Sequence, residues 1–298
     1  MRALQAVVTE GTISGAAQQM GLTAPAVHSQ LKTLENLIGS QLLDRTERGQ
    51  TKLTPEGEYL LQAEAQVRAT LERALRGIVA LREGQEGVVV LGAVSTAKYF
   101  APRIVAMLDQ EFPGIDLSLR ISNRTDTIAA LSQGDLDLCI MGRPPRQPAT
   151  DAVPLADHPH VIIAAPGHPL ADAPSVSAAD LAKERFILRE IGSGTRLLAE
   201  RYLERFTGQS SPRRMVMDSN ETIKQAVMSG LGIAIISAHT VAQETMDGRL
   251  TPLSVEGFPI NRKWFLMTPQ DHQASPAAAK VGQWIIDQAA DCIPTLPV

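Results

Sequence analysis

Residues 2–38 constrain the fold most, because three short apolar-periodic stretches there are punctuated by glycine. Leu4, Val7 and Val8 recur at helical spacing, and Gly11 ends that stretch. Ile13, Ala16, Ala17 and Met20 form the next apolar face, with Ser14 as its capping candidate. Gly21 supplies the left-handed turn that closes a helix. Thr23 can cap a third helix running to about Ile38, and Pro25 is tolerated in its first turn. Val27, Leu31, Leu34 and Ile38 share its inner face, which leaves His28, Ser29 and Lys32 outside. Small residues in the first of two helices joined by a glycine turn let the pair approach closely. That is a helix-turn-helix pattern, whose free second-helix face can enter a DNA major groove. Many helical hairpins share it, so the pattern by itself leaves other hairpins open.

Leu42–Thr46 and Lys52–Leu53 read as two short strands around a turn containing Gly49, a wing. Arg45, Arg48 and Lys52 stand where they can meet phosphates or reach a minor groove; a solvated charged loop is the alternative. Residues 1–58 hold five basic against six acidic side chains. Charge therefore gives no support to nucleic-acid binding, and only placement does. Thr54, Pro55 and Glu56 read as the cap and first turn of another helix. Along it Leu60, Ala63, Val67, Leu71, Ala74, Ile78 and Leu81 recur at steps of three and four. That narrow seam suits a helix–helix pair, or packing on its own domain. Gly84–Gly87 ends the helix as a hinge.

From residue 88 onward apolar runs alternate with helical patterns. Strands are expected at Val88–Val94, Leu117–Ile121 and residues 136–141, with helices through Phe112 and over 125–133, a βαβαβ series. A strand at Val161–Ala165 follows. Then come strands Phe186–Leu188, Met215–Met217 and Ile233–Ile236, interleaved with helices 195–207, 220–230 and 238–243. Trp264–Met267 and a helix over about 275–290 return to the first series. Crossings near 162–166 and 264–268 would form a hinge. Such a two-lobed region resembles the periplasmic solute-binding fold, in which ligands sit outside the carboxyl ends of strands. The strand ends carry Ser95, Thr96 and Lys98; Asn123 and Arg124; Gly142 and Arg143; and Arg189 with the loop Ser193, Gly194, Thr195 and Arg196. Hydroxyls and backbone N–H groups at helix N-termini, with several cations around one cleft, favour an anion. Helix capping and surface ion pairs are the alternatives for each residue taken singly.

Other classes find little footing. The chain has 298 residues and a formal net charge of −4, so it is not a basic nucleic-acid coat. No run of about 18 apolar residues occurs, and the N-terminus lacks a signal-peptide core, which points to the cytoplasm and away from a membrane. Cys139 and Cys292 lie in apolar surroundings and read as buried small hydrophobes. No zinc, phosphate-loop or nucleophile-elbow motif joins the Asp, Glu and His residues, so neither an enzyme nor a cofactor is expected. His158, His160 and His168 stand among prolines in a segment read as loop. They hint at a metal, but at a spacing that suits no standard site.

The stretch GTISGAAQQMGLTAPAVHSQLKTLENLIGSQLLDRTERGQTKLTPEGE resembles the DNA-binding region of LysR-type transcriptional regulators almost end to end. It has the small-residue AA pair, the P-A-V start of the recognition helix, the R-x-x-R-G wing and the L-T-P-x-G cap. The resemblance implies an α/β protein with three parts: a winged helix-turn-helix over 1–58, a dimerisation helix and hinge over 59–86, and an effector-binding region over 87–298. Lobe 1 of that region would take about 87–162 and 267–298, and lobe 2 about 163–266. It further implies DNA contacts at Thr23, Ala24, Pro25, His28, Ser29, Lys32, Arg45 and Arg48, with Ala24 replacing a frequent polar residue. The partners implied are double-stranded promoter DNA, a small metabolite, further copies of the chain as homodimer or homotetramer, and RNA polymerase. VSTAKYFAPR, SNRTDTIAAL, LDLCIMGRPP, REIGSGTR and SNETIKQAVMSGLGIAIISAHTV are similar to the CbbR subgroup, which controls RuBisCO operons and responds to phosphorylated metabolites or NADPH. A regulator of another operon with an organic anion as effector, and a transporter's solute-binding protein, remain as alternatives. The latter leaves the first 87 residues without a purpose.

Overall fold

A computed structural model of the chain describes residues 1–45, 51–82, 86–206, 211–270 and 274–296. The chain divides into two units, Met1–Leu75 and Arg76–Val298.

The first unit opens with helices α1 (Arg2–Glu10), α2 (Ile13–Met20) and α3 (Ala24–Ile38). An antiparallel pair follows, β1 (Leu43–Arg45) and β2 (Thr51–Leu53). Helix α4 (Pro55–Arg82) leaves the unit. Leu4, Val7, Ala16, Ala17, Val27, Leu31 and Leu42 form the core, and the methyl-sized pair Ala16–Ala17 lets α2 lie against its neighbours. Gly11 and Gly21 stop α1 and α2 in the left-handed region, at φ +70° and +65°. The cap of α2 is Thr12, not Ser14: Thr12 is extended and its Oγ1 accepts from the Gly15 N–H at 3.0 Å. Ser14 already lies inside the first turn, two residues past the N-cap position. Thr23 caps α3, accepting from the Ala26 N–H at 3.4 Å. Ile38, expected inside, is 47% exposed, because α3 runs on past the small core. Thr54 caps α4 through the Gly57 N–H at 3.1 Å. Glycine is required at 57, since a Cβ there would collide with the Leu42 carbonyl.

Along α4, Ala65 and Ala69 are buried, whereas Val67, Leu71 and Ile78 of the expected seam are exposed, together with Leu75 and Val79. Half of the proposed hinge Gly84–Gly87 lies outside the described residues, and Gly87 already begins the next strand.

The second unit has two lobes on a shared pair of long strands. In the first lobe β3 (Gly87–Val94) pairs in parallel with β4 (Ile115–Ser122) and β5 (Leu138–Met141). Helices α5 (Ala101–Glu111) and α6 (Arg124–Gln133) make the crossovers, as the expected βαβαβ series requires. β6 (Thr150–Ala164) and β11 (Ile260–Pro269) then run antiparallel. β11 joins β5 through Phe265–Met267, while β6 joins β9 (Ala234–Ser237) through His160–Ile163. Between these attachments, residues 156–159 and 261–264 pair only with each other. This two-stranded ribbon is the crossing, and on β6 it falls earlier than the stretch 162–166 expected from the sequence.

The second lobe contains β7 (Arg185–Arg189), parallel to β8 (Arg213–Met217). It also holds α7 (Ala178–Leu181), α8 (Gly194–Leu203), α9 (Asn220–Met228), α10 (Ala238–Met246) and the short β10 (Thr251–Pro252). A bridge between Phe186 and Ile233 ties β7 to the β9 side. Helices α11 (Pro276–Asp287) and α12 (Ala289–Cys292) close the first lobe, where Val281, Ile285 and Cys292 join the core of β3 and β5. Cys139 and Cys292 are free thiols with no exposed surface. Burial pushes the Cys139 thiol up to about 12, so it is not a nucleophile near neutrality. Among the described residues no helix is long and apolar enough to cross a membrane.

Candidate functional sites: an exposed helix face and an arginine-lined cavity

In the first unit the capped start of α3 carries the expected recognition residues outward. Thr23, Pro25, His28, Ser29 and Lys32 are exposed and Ala24 is half-buried, while Val27 and Leu31 anchor the opposite face. Lys32 has one distant ion pair, 4.0 Å from Glu35. Arg45 belongs to β1, and Arg48 lies outside the described residues. An exposed helix face with hydroxyl, imidazole and ammonium groups, beside a two-stranded ribbon, has the shape that enters a major groove.

In the second unit a cavity of about 430 Å³ opens between the lobes. Eight of the twelve residues expected from strand ends line it: Ser95, Thr96, Arg124, Gly142, Arg143, Ser193, Gly194 and Thr195. Each arrives for a local reason. Ser95 and Thr96 follow β3, and Arg124 opens α6 behind its cap Asn123. Gly142 and Arg143 follow β5, and Ser193–Thr195 start α8. Ser193 occupies the N-cap of α8 without capping it through its side chain. It and Thr195 are buried, and their hydroxyls sit at the positive end of a ten-residue helix.

The other four do not line the cavity. Asn123 spends its side chain on the cap of α6, accepting from the Asp126 N–H at 3.0 Å. Lys98 is 3.0 Å from Glu221. Arg196 is 2.8 Å from Glu200 and donates to the Arg189 carbonyl at 3.0 Å. Arg189 is buried against the Glu190 carboxylate at 2.6 and 2.8 Å. Each is a strand-end or loop group that found a partner within the fold.

The structure also brings in residues that strand-end reasoning passes over. The crossing ribbon contributes His158 and Arg262, which lie directly across from each other, and β6 adds His160 just beyond it. Alternation puts these three on one face of the β6–β11 pair, while Asp157 and Lys263 form a 2.6 Å ion pair on the other. The Pro-flanked histidines are therefore strand residues, not loop residues. The bias of Pro154 and Pro159 toward loops loses here to pairing with β11. Helix α8 adds Leu197, Glu200, Arg201 and Glu204 from one face, at steps of three and four, and the loop after β5 adds Arg146.

Five arginines thus surround the cavity: Arg124, Arg143, Arg146, Arg201 and Arg262. Among the described residues none of them forms an ion pair. They repel one another instead. Burial, then Arg143, lowers the pKa of Arg124; burial, then Arg143 and Arg201, lowers that of Arg262. Arg124 braces the wall by donating to the carbonyls of Arg143 (2.5 Å) and Pro144 (3.4 Å). The two histidines add no charge. Burial, followed by the neighbouring His160, His239 and Arg262, holds His158 well below its usual range, and burial with Arg262 takes His160 to about 3. His158 stacks on Trp264 at 3.6 Å and its Nε2 lies 3.0 Å from Ser237 Oγ. His168 is elsewhere, 3.2 Å from Glu184. Among the described residues no three histidine, cysteine or carboxylate side chains are arranged to hold a metal ion.

Known proteins agree with both halves. Residues 1–58 match the bacterial regulatory helix-turn-helix protein family, lysR family, and residues 82–290 match the LysR substrate binding domain. The chain is 43% identical over 298 residues to the HTH-type transcriptional regulator CbbR of Cereibacter sphaeroides, covering all of this chain and 96% of that one. It is 37% identical over 290 residues to the RuBisCO operon transcriptional regulator of Allochromatium vinosum, covering 97% and 95%. The regulatory domain of Synechocystis PCC6803 CcmR, solved in complex with 2-PG, superposes with a TM-score of 0.63 at 33% identity, over 68% of this chain and 98% of that one. The chain belongs to the LysR family of DNA-binding transcriptional regulators.

Proposed function

We propose that this regulator controls carbon-fixation (RuBisCO) genes in response to an anionic, phosphorylated metabolite bound in the arginine-lined cavity. The observation that carries the reading is five arginines around one cavity that have no ion-pair partner among the described residues. Arg124 and Arg262 are half-buried beside like charges, and an anion with several oxygens relieves that through charge-assisted, often bidentate hydrogen bonds. Ser95, Thr96, Ser193 and Thr195 add hydroxyls to the lining. A relative named as a RuBisCO operon transcriptional regulator and a neighbour solved with 2-PG support the reading.

Promoter DNA is read by the α3 face, from Thr23 to Lys32, with Arg45 and Arg48 of the wing on the backbone. The exposed Val67, Leu71 and Ile78 of α4 pair two chains, because one head alone spans too short a site for useful selectivity. Dimers pair further into a tetramer that meets RNA polymerase in the cytoplasm. The ligand acts by binding the two lobe arrangements unequally.

The test is a melting-temperature screen of the full chain with 2-PG, sugar phosphates, phosphoenolpyruvate, ATP and NADPH, followed by binding to RuBisCO-promoter duplex with and without the best ligand. We expect stabilisation by at least one phosphorylated compound and a ligand-dependent change in a salt-sensitive DNA complex. Stabilisation by none of them, or by unphosphorylated carboxylates alone, overturns the phosphorylated-effector reading. Absence of binding to any such duplex overturns the operon assignment.

A further inference from the structure

The lobes of the second unit also touch beside the cavity, where the loop after β3 meets the start of α9. Asn220 is buried and donates from Nδ2 to the Ser95 carbonyl at 3.3 Å, while its Oδ1 accepts from Arg189. Arg189 Nη2 donates to Ser95 Oγ at 3.2 Å. One residue along α9, Glu221 accepts the Tyr99 hydroxyl at 2.6 Å and lies 3.0 Å from Lys98 Nζ. Its second carboxylate oxygen is 2.9 Å from Lys224 Nζ, which reaches Glu244 at 2.9 Å and stands 4.9 Å over the Tyr99 ring.

These contacts share a direction. Ser95, Lys98 and Tyr99 belong to the first lobe; Arg189, Asn220, Glu221 and Lys224 belong to the second. Ser95 and Thr96 line the cavity, so one short loop carries cavity hydroxyls at its beginning and an inter-lobe contact at its end. The contact also has a graded character. The Asn220 end is buried, so its hydrogen bonds, one of them from the charged Arg189 guanidinium, are directional and little screened. The Glu221 side chain is half exposed, so its ion pairs weaken in salt. Burial works against the charged form of Glu221, but the Tyr99, Lys224 and Lys98 contacts outweigh it and bring its pKa to about 2.

We propose that Asn220 and Glu221 are positioning residues for the cavity: they clasp the Ser95–Tyr99 loop to the second lobe and so hold Ser95 and Thr96 where a ligand meets them. The proposal rests on the reading of the cavity as the ligand site. Neither residue lines the cavity, so each acts on affinity only through the loop. Losing the clasp frees the loop and the lobes, and a ligand then has to order both.

The test uses the full chain as wild type, Asn220→Ala, Glu221→Gln and Glu221→Ala, with Lys280→Ala as a surface ion-pair control. Two quantities are read: hydrogen exchange of the residue 95–100 amides without ligand, and the Kd for 2-PG. Asn220→Ala is expected to speed exchange in that loop and weaken 2-PG about tenfold. Glu221→Gln, which keeps a partner for the Tyr99 hydroxyl and loses the ion pairs, falls between wild type and Glu221→Ala. The gap between Glu221→Gln and wild type closes at 1 M salt. A merely structural role moves the melting temperature while leaving the Kd alone, and that result overturns the proposal, as does unchanged loop exchange in both alanine variants. Should Asn220→Ala fail to fold, the near-isosteric and half-exposed Glu221→Gln decides by the same two readings. If the wild type binds no 2-PG, the assignment of this ligand has failed, and loop exchange in the ligand-free protein still decides whether the clasp exists.

Discussion

Two groups of cations occupy neighbouring parts of the second unit and end in opposite states. Around the cavity, Arg124, Arg143, Arg146, Arg201 and Arg262 face one another without ion-pair partners among the described residues. Beside it, Lys98, Arg189, Arg196 and Lys224 are each within 3.0 Å of a carboxylate. Both groups include residues from strand ends and helix starts, where ligand residues are expected in an α/β lobe. Position therefore does not separate a ligand cation from a structural one. The separating property is whether the fold itself supplies the counter-charge: Arg189, Arg196 and Lys224 find theirs within four residues, in Glu190, Glu200 and Glu221, whereas Lys98 takes Glu221 from far along the chain.

The largest effect expected from this contrast is on ligand affinity. Arg262→Ala removes from the ribbon face a half-buried guanidinium that has no ion-pair partner among the described residues. It should weaken the best phosphorylated ligand by roughly 30- to 100-fold, the range of a lost charge-assisted hydrogen bond. Arg196→Ala, whose guanidinium is already neutralised by Glu200, should cost less than about threefold. Titration calorimetry on both variants checks the order, and a larger loss for Arg196→Ala breaks the comparison.

Next in size is a change that leaves every charge in place. A Cβ at Gly142 would stand 2.6 Å from His158 Nδ1, and His158 is pinned by stacking on Trp264. Gly142→Ala should destabilise the second unit by about 1–3 kcal/mol through overpacking. Thermal melting reads this directly. A melting temperature equal to wild type would mean that the ribbon yields, and that the arginine wall it carries is not rigid.

The two regions also respond to pH in different windows. His160 is depressed from 6.5 to about 3 by burial and Arg262. Its neutral form stabilises the fold fully above pH 6.5. That contribution is lost as pH falls from 6.5 through about 3, because the unfolded chain binds the proton first. The slope approaches about 1.4 kcal/mol per pH unit for one proton. Glu221 is depressed from 4.5 to about 2, so its contribution is complete above pH 4.5 and lost as pH falls through about 2. Denaturant titrations from pH 7 to 3 should give His160→Asn a shallower slope over the upper window. Glu221→Gln should flatten only the part below pH 4.5. Matching slopes for His160→Asn and wild type would remove the buried histidine as the source.

Legibility follows the same line. The first unit is written in local signals: Gly11 and Gly21 stop helices, Thr23 and Thr54 cap them, and Ala16–Ala17 permits close packing. Even its one displaced cap, Thr12 for Ser14, lies two residues away. The strands of the second unit were readable as apolar runs, and eight cavity residues followed from their ends. The ribbon was not. Pro154 and Pro159 bias the chain toward loops, and only pairing with β11, about a hundred residues later, makes a strand of that stretch. A signal was present nonetheless: His158 and His160, like Arg262 and Trp264, alternate with period two. The α8 set was likewise available from helical spacing, since Gly194, Leu197, Arg201 and Glu204 recur at steps of three and four behind the glycine start. The neutralisation of Lys98 had no such signal, because Glu221 lies more than a hundred residues away, whereas Glu190 and Glu200 stand one and four residues from Arg189 and Arg196.

Lys98 gives the smallest effect and the sharpest use of the contrast. By position it belongs with the cavity residues, four places after the end of β3. By contact it belongs with the clasp, 3.0 Å from a half-exposed Glu221 and itself a third exposed. A pair so open to solvent is worth no more than about 1 kcal/mol and fades as salt screens it. Lys98→Ala should therefore shift stability by less than about 1 kcal/mol at low salt, with most of the difference gone at 1 M salt. Arg143→Ala should cost little stability at either salt, since removing one of several mutually repelling guanidiniums relieves strain, yet it should weaken the ligand. The two variants, measured for stability and affinity at both salt concentrations, should cross: Lys98 moves stability more than affinity, and Arg143 affinity more than stability. If Lys98→Ala weakens the ligand as much as Arg143→Ala does, its pairing with Glu221 yields when ligand arrives, and Lys98 is a cavity cation after all.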